Sequence, residues 1–405
     1  MINHQIATSS IIKQLITKNS KSSINLLFKN GKIVTDFDVS TNSTDFLKQF
    51  PRGAYTAMRT LHRHSVFQLK FHVHRLIYTT MKMINDEHLE INTNSPKSES
   101  LIEECSIGMY PLSLLSSVEK SNNNEKHELF LEEVVKTLGQ SIAEYSINVD
   151  DEHPNECDQL SVEELKVTLL LVWYHQRKSS SEISTSFDLY SHITKLGERP
   201  SKPVFVDIVP GSRCHLGNAK DSIWITERNS MLNKKTQSSN EVLMCEESGI
   251  VREGTSSNFF IINRDGKVVT ARDGILFGSV RGLLIPTQDQ AQSILKNSTE
   301  EESCETVLKS SEYTEDNPTI RDLLNWKEAF ITSTSRLVLP IKTINIAKEC
   351  IDNILTREEI EQVKPHLKEL NSYYYSYELE SVDQCIHLNQ LLVNKMQSMS
   401  IRVVN

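Results

Sequence analysis

A glutamate, followed by hydroxyl and amide side chains, stands directly before an apolar run in the segment 252–270. The acid is Glu253, the apolar run is 259–262, and between them lie Gly254, Thr255, Ser256, Ser257 and Asn258. A carboxylate at the end of a buried strand suits a site where it stays ionised against a cationic ring nitrogen, while the hydroxyls and the amide hold the loop. The same string is also typical of an ordinary turn. Neighbouring groups must therefore decide between these interpretations.

Basic and aromatic side chains upstream of Glu253 are candidate partners for it. Lys220 lies in GNAKDSIW, after Gly217, Asn218 and Ala219. Most lysines lie in water, so this residue alone indicates nothing. Farther upstream, the segment GAYTAMRTLHRHSVFQLKFHVHRL contains Tyr55, Arg59 and Arg75.

Two downstream segments could bind an anion. In LFGSVRGLLI, Gly278, Ser279 and Val280 precede an apolar run that resembles a helix. Backbone N–H groups at a helix start are unpaired and lie at the positive end of the helix dipole, so they attract anions. In FITSTSRLVLPI, Thr334 belongs to a hydroxyl patch, 332–335, between two apolar runs. Either segment alone is also consistent with a plain turn.

Length and charge limit the functions that these groups could serve. The chain has 405 residues, which favours two domains. Its net charge of −9 is spread without a basic stripe, which argues against a nucleic-acid surface. The longest apolar run, 167–174, is strand-sized and too short to span a membrane. Small-molecule chemistry fits these properties best.

Cysteine usage and the N-terminal segment bear on the compartment. The 7 cysteines are odd in number and form no C-x-x-C pair, which is typical of a reducing compartment. We therefore expect a cytoplasmic protein. Residues 1–28 contain no acidic side chain, so a mitochondrial presequence is the alternative.

Turn and helix signals predict a mixed α/β architecture. Asn30-Gly31 and Asp265-Gly266 each separate two apolar runs, which predicts two hairpins. Thr356 and Glu359 have the spacing of a helix capping box. One helix is predicted by apolar residues at helical spacing: Leu131, Val134, Val135, Leu138 and Ile142.

Polar segments divide the chain. We expect surface insertions or loops at 91–100, 119–128, 176–186 and 296–305. The stiff segment GERPSKP, 197–203, is the preferred domain boundary. The predicted units are an N-terminal extension, 1–23, a small N-terminal domain, 24–199, and a larger C-terminal domain, 200–405.

Taken in order, these motifs resemble the class IV, or fold-type IV, aminotransferases that use pyridoxal 5′-phosphate. This family includes branched-chain and D-amino-acid transaminases and aminodeoxychorismate lyase. EGTSSNFF is the most specific block, and the resemblance runs from about Leu26 to Pro340. It implies a small N-terminal α/β domain, a larger C-terminal domain with a mixed sheet, and a homodimer.

The resemblance also implies roles for individual residues. Lys220 would bind the cofactor aldehyde as a Schiff base and serve as the catalytic base, and Glu253 would pair with the pyridine nitrogen. The cofactor phosphate would be bound by Arg75, Ser279, Val280 and Thr334. Tyr55 would line the pocket, and Arg59 would meet a substrate carboxylate, with a structural ion pair as its alternative role. The implied substrates are an amino acid and a 2-oxo acid.

Departures from the family pattern leave the exact reaction open. The family's GITR reads GSVR here, so Val280 offers the phosphate only its backbone. A tyrosine that branched-chain transaminases place five positions after the lysine is missing, and Trp224 stands at the fourth. Two alternatives remain: a lyase that acts on a chorismate-derived amine, and a non-catalytic binding protein. The presence of the lysine, acid and arginine together argues against the second.

Two other clusters have simpler interpretations. His72 and His74 alternate as on a strand face, and with His62 and His64 they could suggest zinc. No cysteine or acid lies near enough to complete such a site, so we expect no metal. The tyrosines in 371–380 are typical of a core or a subunit interface.

Overall fold

The computed structural model describes residues 26–35, 37–92, 124–150, 163–177, 183–213, 217–285 and 306–404. The proposed extension 1–23 and Cys105, Cys157, Cys214 and Cys304 lie outside these ranges. The described cysteines, Cys245, Cys350 and Cys385, are buried free thiols. Among the described residues, no helix is both long enough and apolar enough to cross a membrane.

The first sheet comes from the N-terminal half and from one C-terminal strand. Its strands are β1 (Leu26–Lys29), β2 (Lys32–Ile33), β3 (Ala54–Leu61), β4 (Ser65–Phe67), β5 (Leu165–Arg177), β6 (Ile183–Lys195) and β17 (Ser400–Arg402). Their order in the sheet is β17-β4-β3-β5-β6-β1-β2, and all the pairs are antiparallel.

Three helices accompany this sheet: α1 (Ser43–Lys48), α2 (Leu69–Asn92) and α3 (Asn124–Asp150). The central strand β5 is apolar on both faces because both are covered. Val167 and Leu169 pack into the core beneath α2 and α3, whereas Leu170 and Val172 pack with Tyr55 on the opposite face. This two-sided burial explains the continuous apolar run in the sequence.

The second sheet is mixed and lies in the C-terminal half. Its strands are β7 (Val204–Pro210), β8 (Glu241–Cys245), β9 (Val251–Gly254), β10 (Asn258–Asn263), β11 (Val268–Thr270), β12 (Tyr313–Thr314), β13 (Trp326–Ser333), β14 (Leu337–Ala347), β15 (Lys368–Glu369) and β16 (Tyr374–Glu378). Their order is β12-β11-β10-β9-β8-β7-β14-β16-β15. Strand β13 pairs with both β10 and β14, which closes a ring of six strands through β9, β8 and β7.

The helices of this half are mostly short. They are α4 (Trp224–Glu227), α5 (Asn229–Leu232), α6 (Ser279–Leu284), α7 (Lys348–Ile354), α8 (Arg357–Val363) and α9 (Asp383–Lys395), with 3₁₀ turns at Ile320–Asn325 and Lys364–His366. The segment 197–203 contains no helix or strand and connects the two sheets.

Several predictions of local structure are confirmed. Asn30 and Gly31 both have positive φ in the β1–β2 turn, and β10 and β11 form the second hairpin, with Gly266 at a φ of 82°. Thr356 and Glu359 form the capping box of α8. The apolar helical spacing lies in α3, where Leu131, Val134, Leu138 and Ile142 are buried and Val135 is partly buried.

The predicted extent of the polar loops is wrong in part. The polar segments extend into regular elements, because residues 91–92 end α2, 124–128 begin α3, and 176–177 and 183–186 belong to β5 and β6. Polar side chains do not prevent backbone hydrogen bonding, so composition overestimated the loops. The other parts of these segments lie outside the described residues. In the tyrosine cluster, which we predicted to be core or subunit interface, Tyr374 and Tyr377 are buried, and Tyr373 is 76% exposed on the single chain.

Candidate active site

A cavity of about 290 Å³ is lined by residues of both halves. The N-terminal half contributes β3, β5 and α2, and the C-terminal half contributes the segment before α4, the β9–β10 region, the start of α6 and the end of β13. Of the residues singled out in the sequence, this arrangement brings together Tyr55, Arg75, Lys220, Glu253, Ser279, Val280 and Thr334.

Lys220 is held at the cavity by the N-terminal half. Its N–H donates to the hydroxyl oxygen of Thr79 at 3.1 Å, and its carbonyl accepts the N–H of Tyr55 at 3.0 Å. Its Nζ lies 4.7 Å from the centre of the Tyr55 ring. Burial, together with the positive charges of Arg75 and Arg213, holds the pKa of Lys220 well below its usual value. The side chain can therefore present a neutral, nucleophilic amine.

Glu253, on β9, is a buried carboxylate with three donors. Its Oε1 accepts from Arg213 Nη1 at 3.1 Å, and its Oε2 accepts from the Leu276 N–H at 3.0 Å and from Asn258 Nδ2 at 3.4 Å. Burial raises the pKa of Glu253 to about 7, although Arg213 opposes this shift. A second cation next to this carboxylate would favour its ionised form.

Arg213 was not anticipated from the sequence. Besides its ion pair with Glu253, its guanidinium lies 4.7 Å from the centre of the Trp224 ring. Trp224, the departure noted above, donates its Nε1–H to the carbonyl of Thr255 at 2.9 Å. Trp224 thus contacts both Arg213, which pairs with Glu253, and the loop that follows Glu253. An isolated arginine in GSRCH carries no pattern that indicates this role.

The hydroxyls after Glu253 hold their loop, as predicted, but through an acid that the sequence did not single out. Glu241 accepts from Thr255 at 2.7 Å, from Ser256 at 2.5 Å and from Ser257 at 3.0 Å, and Arg336 Nη2 donates to it at 2.6 Å. Burial acts to raise the pKa of Glu241, yet Arg336 and the hydroxyl donors keep it below its usual value. The loop is therefore fixed around a stable anion.

The predicted anion-binding groups come together at another part of the wall. Arg75, on α2, donates to Thr56 Oγ1 at 2.8 Å and to the Phe277 carbonyl at 3.2 Å. Burial lowers the pKa of Arg75 to about 10, which leaves it cationic at neutral pH. Its buried Nε has no hydrogen-bond partner. The hydroxyls of Ser279 and Thr334 lie 2.9 Å apart.

Gly278 is required at the start of α6 by a close approach. A Cβ at this position would lie 2.3 Å from Asn258 Oδ1, so a side chain would displace the amide that contacts Glu253. The buried Thr332 hydroxyl, also on the cavity wall, has no hydrogen-bond partner. The Thr332 hydroxyl and the Arg75 Nε are therefore two buried polar groups of cavity-lining residues that lack a hydrogen-bond partner.

The structure does not bring Arg59 to the cavity. It lies on β3 opposite Lys166 of β5, and Lys166 lines the cavity instead. Burial lowers the pKa of Arg59, and the charge of Glu164 opposes this. Its alternative role, a structural ion pair, stays a prediction, because Arg59 forms no ion pair among the described residues and its buried Nε has no hydrogen-bond partner. Lys166 and Arg228 also line the cavity and were not anticipated from the sequence.

The histidine pattern was misread, because His72 and His74 belong to helix α2 and not to a strand. His72 Nδ1 lies 2.8 Å from Thr56 Oγ1, and burial beside Arg75 and Lys220 holds the pKa of His72 well below its usual value. A neutral His72 thus supports Thr56, which contacts Arg75. Over the described ranges, no His, Cys, Asp and Glu side chains cluster in a way that could hold a metal.

Residues 225–344 match the family model described as amino-transferase class IV. The resemblance predicted from the sequence is confirmed. The matched segment contains Glu253, Ser279, Val280 and Thr334, and it begins just after Lys220. The chain is thus similar to class IV aminotransferases over the segment that contains Glu253 and three of the predicted phosphate-binding residues.

Solved structures of similar fold extend this likeness across the chain. One is the branched-chain aminotransferase from Thermoproteus uzoniensis with norvaline, with a TM-score of 0.52, 17% identity, and coverage of 94% of this chain and 100% of that one. Another is a T.th. branched-chain aminotransferase complexed with N-(5′-phosphopyridoxyl)-L-glutamate, with a TM-score of 0.51, 14% identity, and coverage of 93% and 98%. These structures confirm the predicted two-domain α/β fold of fold-type IV. The comparison with curated proteins gave no match.

Proposed function

We propose that this chain is a pyridoxal 5′-phosphate-dependent aminotransferase that moves an amino group between an amino acid and a 2-oxo acid. One observation carries the proposal: the amine of Lys220 and the carboxylate of Glu253 face one cavity, together with the cationic Arg75. The class IV match and the fold of the branched-chain aminotransferases support it.

The residues present fit this cofactor. The cavity volume is close to the lower end of typical ligand pockets, about 300 Å³. The unpaired Arg75 Nε and Thr332 hydroxyl are donors that a phosphate would satisfy. Lys220 would bind the aldehyde, Glu253 the ring nitrogen, and Arg75, Ser279, Thr334 and the backbone of Val280 the phosphate. The phosphopyridoxyl group named for the T.th. structure supports this choice.

Lys220 supplies both nucleophile and base. When bound, the cofactor provides an electron-withdrawing ring that stabilises negative charge at the substrate α-carbon. The lowered pKa of Lys220 favours the neutral form of its Nζ, which is the form that can accept the α-proton and return it. Glu253 remains a carboxylate beside a cationic nitrogen, and the Glu241 network keeps its loop in place. Tyr55 lines the pocket beside the amine.

The proposal is tested by covalent capture. We expect purified protein mixed with pyridoxal phosphate to show the visible absorbance band of a protonated Schiff base, and borohydride to fix a pyridoxyl phosphate mass on Lys220. Lys220→Ala should lose both signals, whereas Lys309→Gln, an exposed lysine away from the cavity, should keep them. Capture at other lysines, or none at all, would contradict the assignment.

Substrate addition then separates transaminase from lyase. An aminotransferase converts an amino acid into its 2-oxo acid and leaves the aminated cofactor on the protein. Release of pyruvate from a chorismate-derived amine, without that amination, would favour the lyase. Compartment and homodimer stay predictions, to be checked by fractionation and by sedimentation.

A further inference from the structure

Helix α2 carries residues that contact both ends of the candidate active site. Arg75 lines the cavity where the cofactor phosphate is expected. One turn further along the helix, the buried hydroxyl of Thr79 accepts the backbone N–H of Lys220 at 3.1 Å. Residues four positions apart lie on the same face of a helix. One face of α2 therefore contacts the backbone of the predicted catalytic lysine and also carries the predicted phosphate cation.

A second set of contacts joins the same helix to the lysine segment through Asn218, two residues before Lys220. Asn218 Nδ2 donates to the hydroxyl oxygen of Tyr78 at 3.2 Å, and Asn218 Oδ1 accepts from Lys82 Nζ. We call the side chains of Asn218, Tyr78 and Lys82 the Asn218 latch. None of the three lines the cavity in the part of the chain that the structure describes. The latch is therefore placed to hold the lysine segment and not a ligand.

The opposite face of α2 is fixed in the N-terminal core, where Val73 and Ile77 are buried. A helix is rigid compared with a loop, and its close packing against a core opposes rotation. The rise of an α-helix is about 1.5 Å per residue, so Arg75 and Lys82 lie roughly 10 Å apart along the axis. Helical geometry and core packing together thus determine where the contacts to the lysine segment lie relative to Arg75.

We infer that helix α2 sets the separation between the Lys220 amine and the Arg75 guanidinium. Thr79 and the Asn218 latch are the positioning residues, because they hold the backbone that carries the lysine. The inference rests on the proposed aminotransferase function, in which one cofactor meets the amine at its aldehyde and the guanidinium at its phosphate. A misplacement of about 1 Å can cost roughly a hundredfold in rate. Contacts from one rigid helix match this requirement for a fixed distance.

Thr79→Val tests the first contact, because valine keeps the shape of threonine but cannot accept the Lys220 N–H. Thr80→Val is the matched control. Thr80 is equally buried, and its hydroxyl donates to the Leu76 carbonyl within the helix at 2.9 Å. Each protein is titrated with pyridoxal 5′-phosphate, which forms a Schiff base, and with pyridoxamine 5′-phosphate, which has no aldehyde and binds without one.

We expect Thr79→Val to lower the equilibrium constant for Schiff base formation about tenfold and to leave the affinity for pyridoxamine 5′-phosphate within about twofold of the wild type. Thr79→Ser, which keeps the hydroxyl, should restore the constant, and Thr80→Val should change neither value. An equal loss of affinity for both cofactor forms would indicate a general structural role and overturn the inference. A wild-type constant in Thr79→Val would also overturn it.

Asn218→Leu tests the latch, because leucine removes both of its hydrogen bonds. Tyr78→Phe and Lys82→Met each remove one of them. We expect Asn218→Leu to lower the equilibrium constant for Schiff base formation about fivefold, and each of the other two variants to lower it less. A wild-type constant in Asn218→Leu would overturn the role of the latch.

Hydrogen exchange in the protein without cofactor separates this inference from the proposed function. The amide of Lys220 should exchange about tenfold faster in Thr79→Val than in the wild type or in Thr80→Val, because it loses its acceptor. Mass spectrometry of peptides that span 217–222 measures the rate. If no cofactor attaches to Lys220 in the wild type, the proposed function fails, while the exchange rate still decides whether Thr79 positions the lysine. Unchanged exchange in Thr79→Val would overturn the inference.

Discussion

Glu253 changes its protonation near neutral pH, because its carboxylate is 2% exposed and its pKa is about 7. For an acid, a pKa raised by folding means that the folded state holds the proton more tightly than the unfolded chain. Its contribution to stability is therefore greatest below the unfolded pKa of 4.5 and falls as pH rises through about 7. A cationic ring nitrogen bound next to Glu253 would stabilise the carboxylate and remove this loss of stability.

This predicts a pH-dependent difference between the wild type and Glu253→Gln without cofactor. From pH 5 to pH 8, the free energy of unfolding of the wild type should fall relative to that of the variant by up to about 3 kcal/mol. Chemical unfolding at several pH values measures this difference. A difference that does not change with pH would show that burial does not raise the pKa of Glu253. Adding pyridoxal phosphate should flatten the wild-type profile.

Site residues were predictable to the extent that local motifs carry them. Lys220 and Glu253 lie in short, distinctive motifs, so their roles could be predicted before the fold was known. Arg213 and Arg228 reach the cavity through tertiary packing, and nothing near them in sequence indicates this. Arg59 and Lys166 are register partners on neighbouring strands, and the sequence does not say that Lys166 is the one that lines the cavity.

At the scale of elements, the lysine segment is attached to the start of β3. Ala54 and Asp221 form an isolated antiparallel bridge, and the N–H of Ser222 donates to the Gly53 carbonyl at 3.0 Å. Arg52 donates to the Asp221 carboxylate through Nε at 2.9 Å and Nη2 at 2.5 Å. The position of Lys220 is therefore set by contacts between the two halves.

Asp221→Asn should loosen this attachment without touching the cavity. The Arg52 side chain is 43% exposed, so solvent screens the pair and the expected loss is about 1 kcal/mol. We expect roughly five-fold weaker binding of pyridoxal phosphate, measured by absorbance titration. Asp188→Asn is the matched control, since Asp188 pairs with Lys29 in the same sheet away from the cavity. Equal affinities in both variants would refute a positioning role for Asp221.

Elements with strong local signals were predicted well, and long-range pairings were not. Hairpin dipeptides and the capping box act within a few residues, so they could be read directly. The helix that carries His72 was mistaken for a strand, because two alternating histidines are too few to define a period. The ring closed by β13 depends on pairing with β10 and β14, which no local pattern specifies.

At the scale of the molecule, the chain returns to its first sheet at the end. Strand β17 pairs with β4, with Ile401 opposite Val66, and the N–H of Val403 donates to the His64 carbonyl at 2.8 Å. Val403 and Val404 pack against the N-terminal core. A domain limit at residue 200 therefore does not separate the two sheets completely, because the first sheet includes β17 from the C-terminal end of the chain.

Removal of residues 400–405 should destabilise the N-terminal half. Lost strand pairing and lost burial of Val403 and Val404 should lower the melting temperature by several degrees, because about 1 kcal/mol corresponds to roughly 2–4 °C in a domain of this size. Scanning calorimetry measures the shift. Arg402→Ala keeps the backbone pairing and should melt close to the wild type; an unchanged melting temperature in the truncated chain would contradict this role of β17.

The place of β17 also has a consequence for biosynthesis. While the ribosome is still making the second sheet, β4 has a free edge, and its N–H and C=O groups are open to any other extended chain. The first sheet can be completed only after residues 400–402 have been synthesised. We expect nascent chains to depend on chaperones until that point, even though most strands of this sheet are made early.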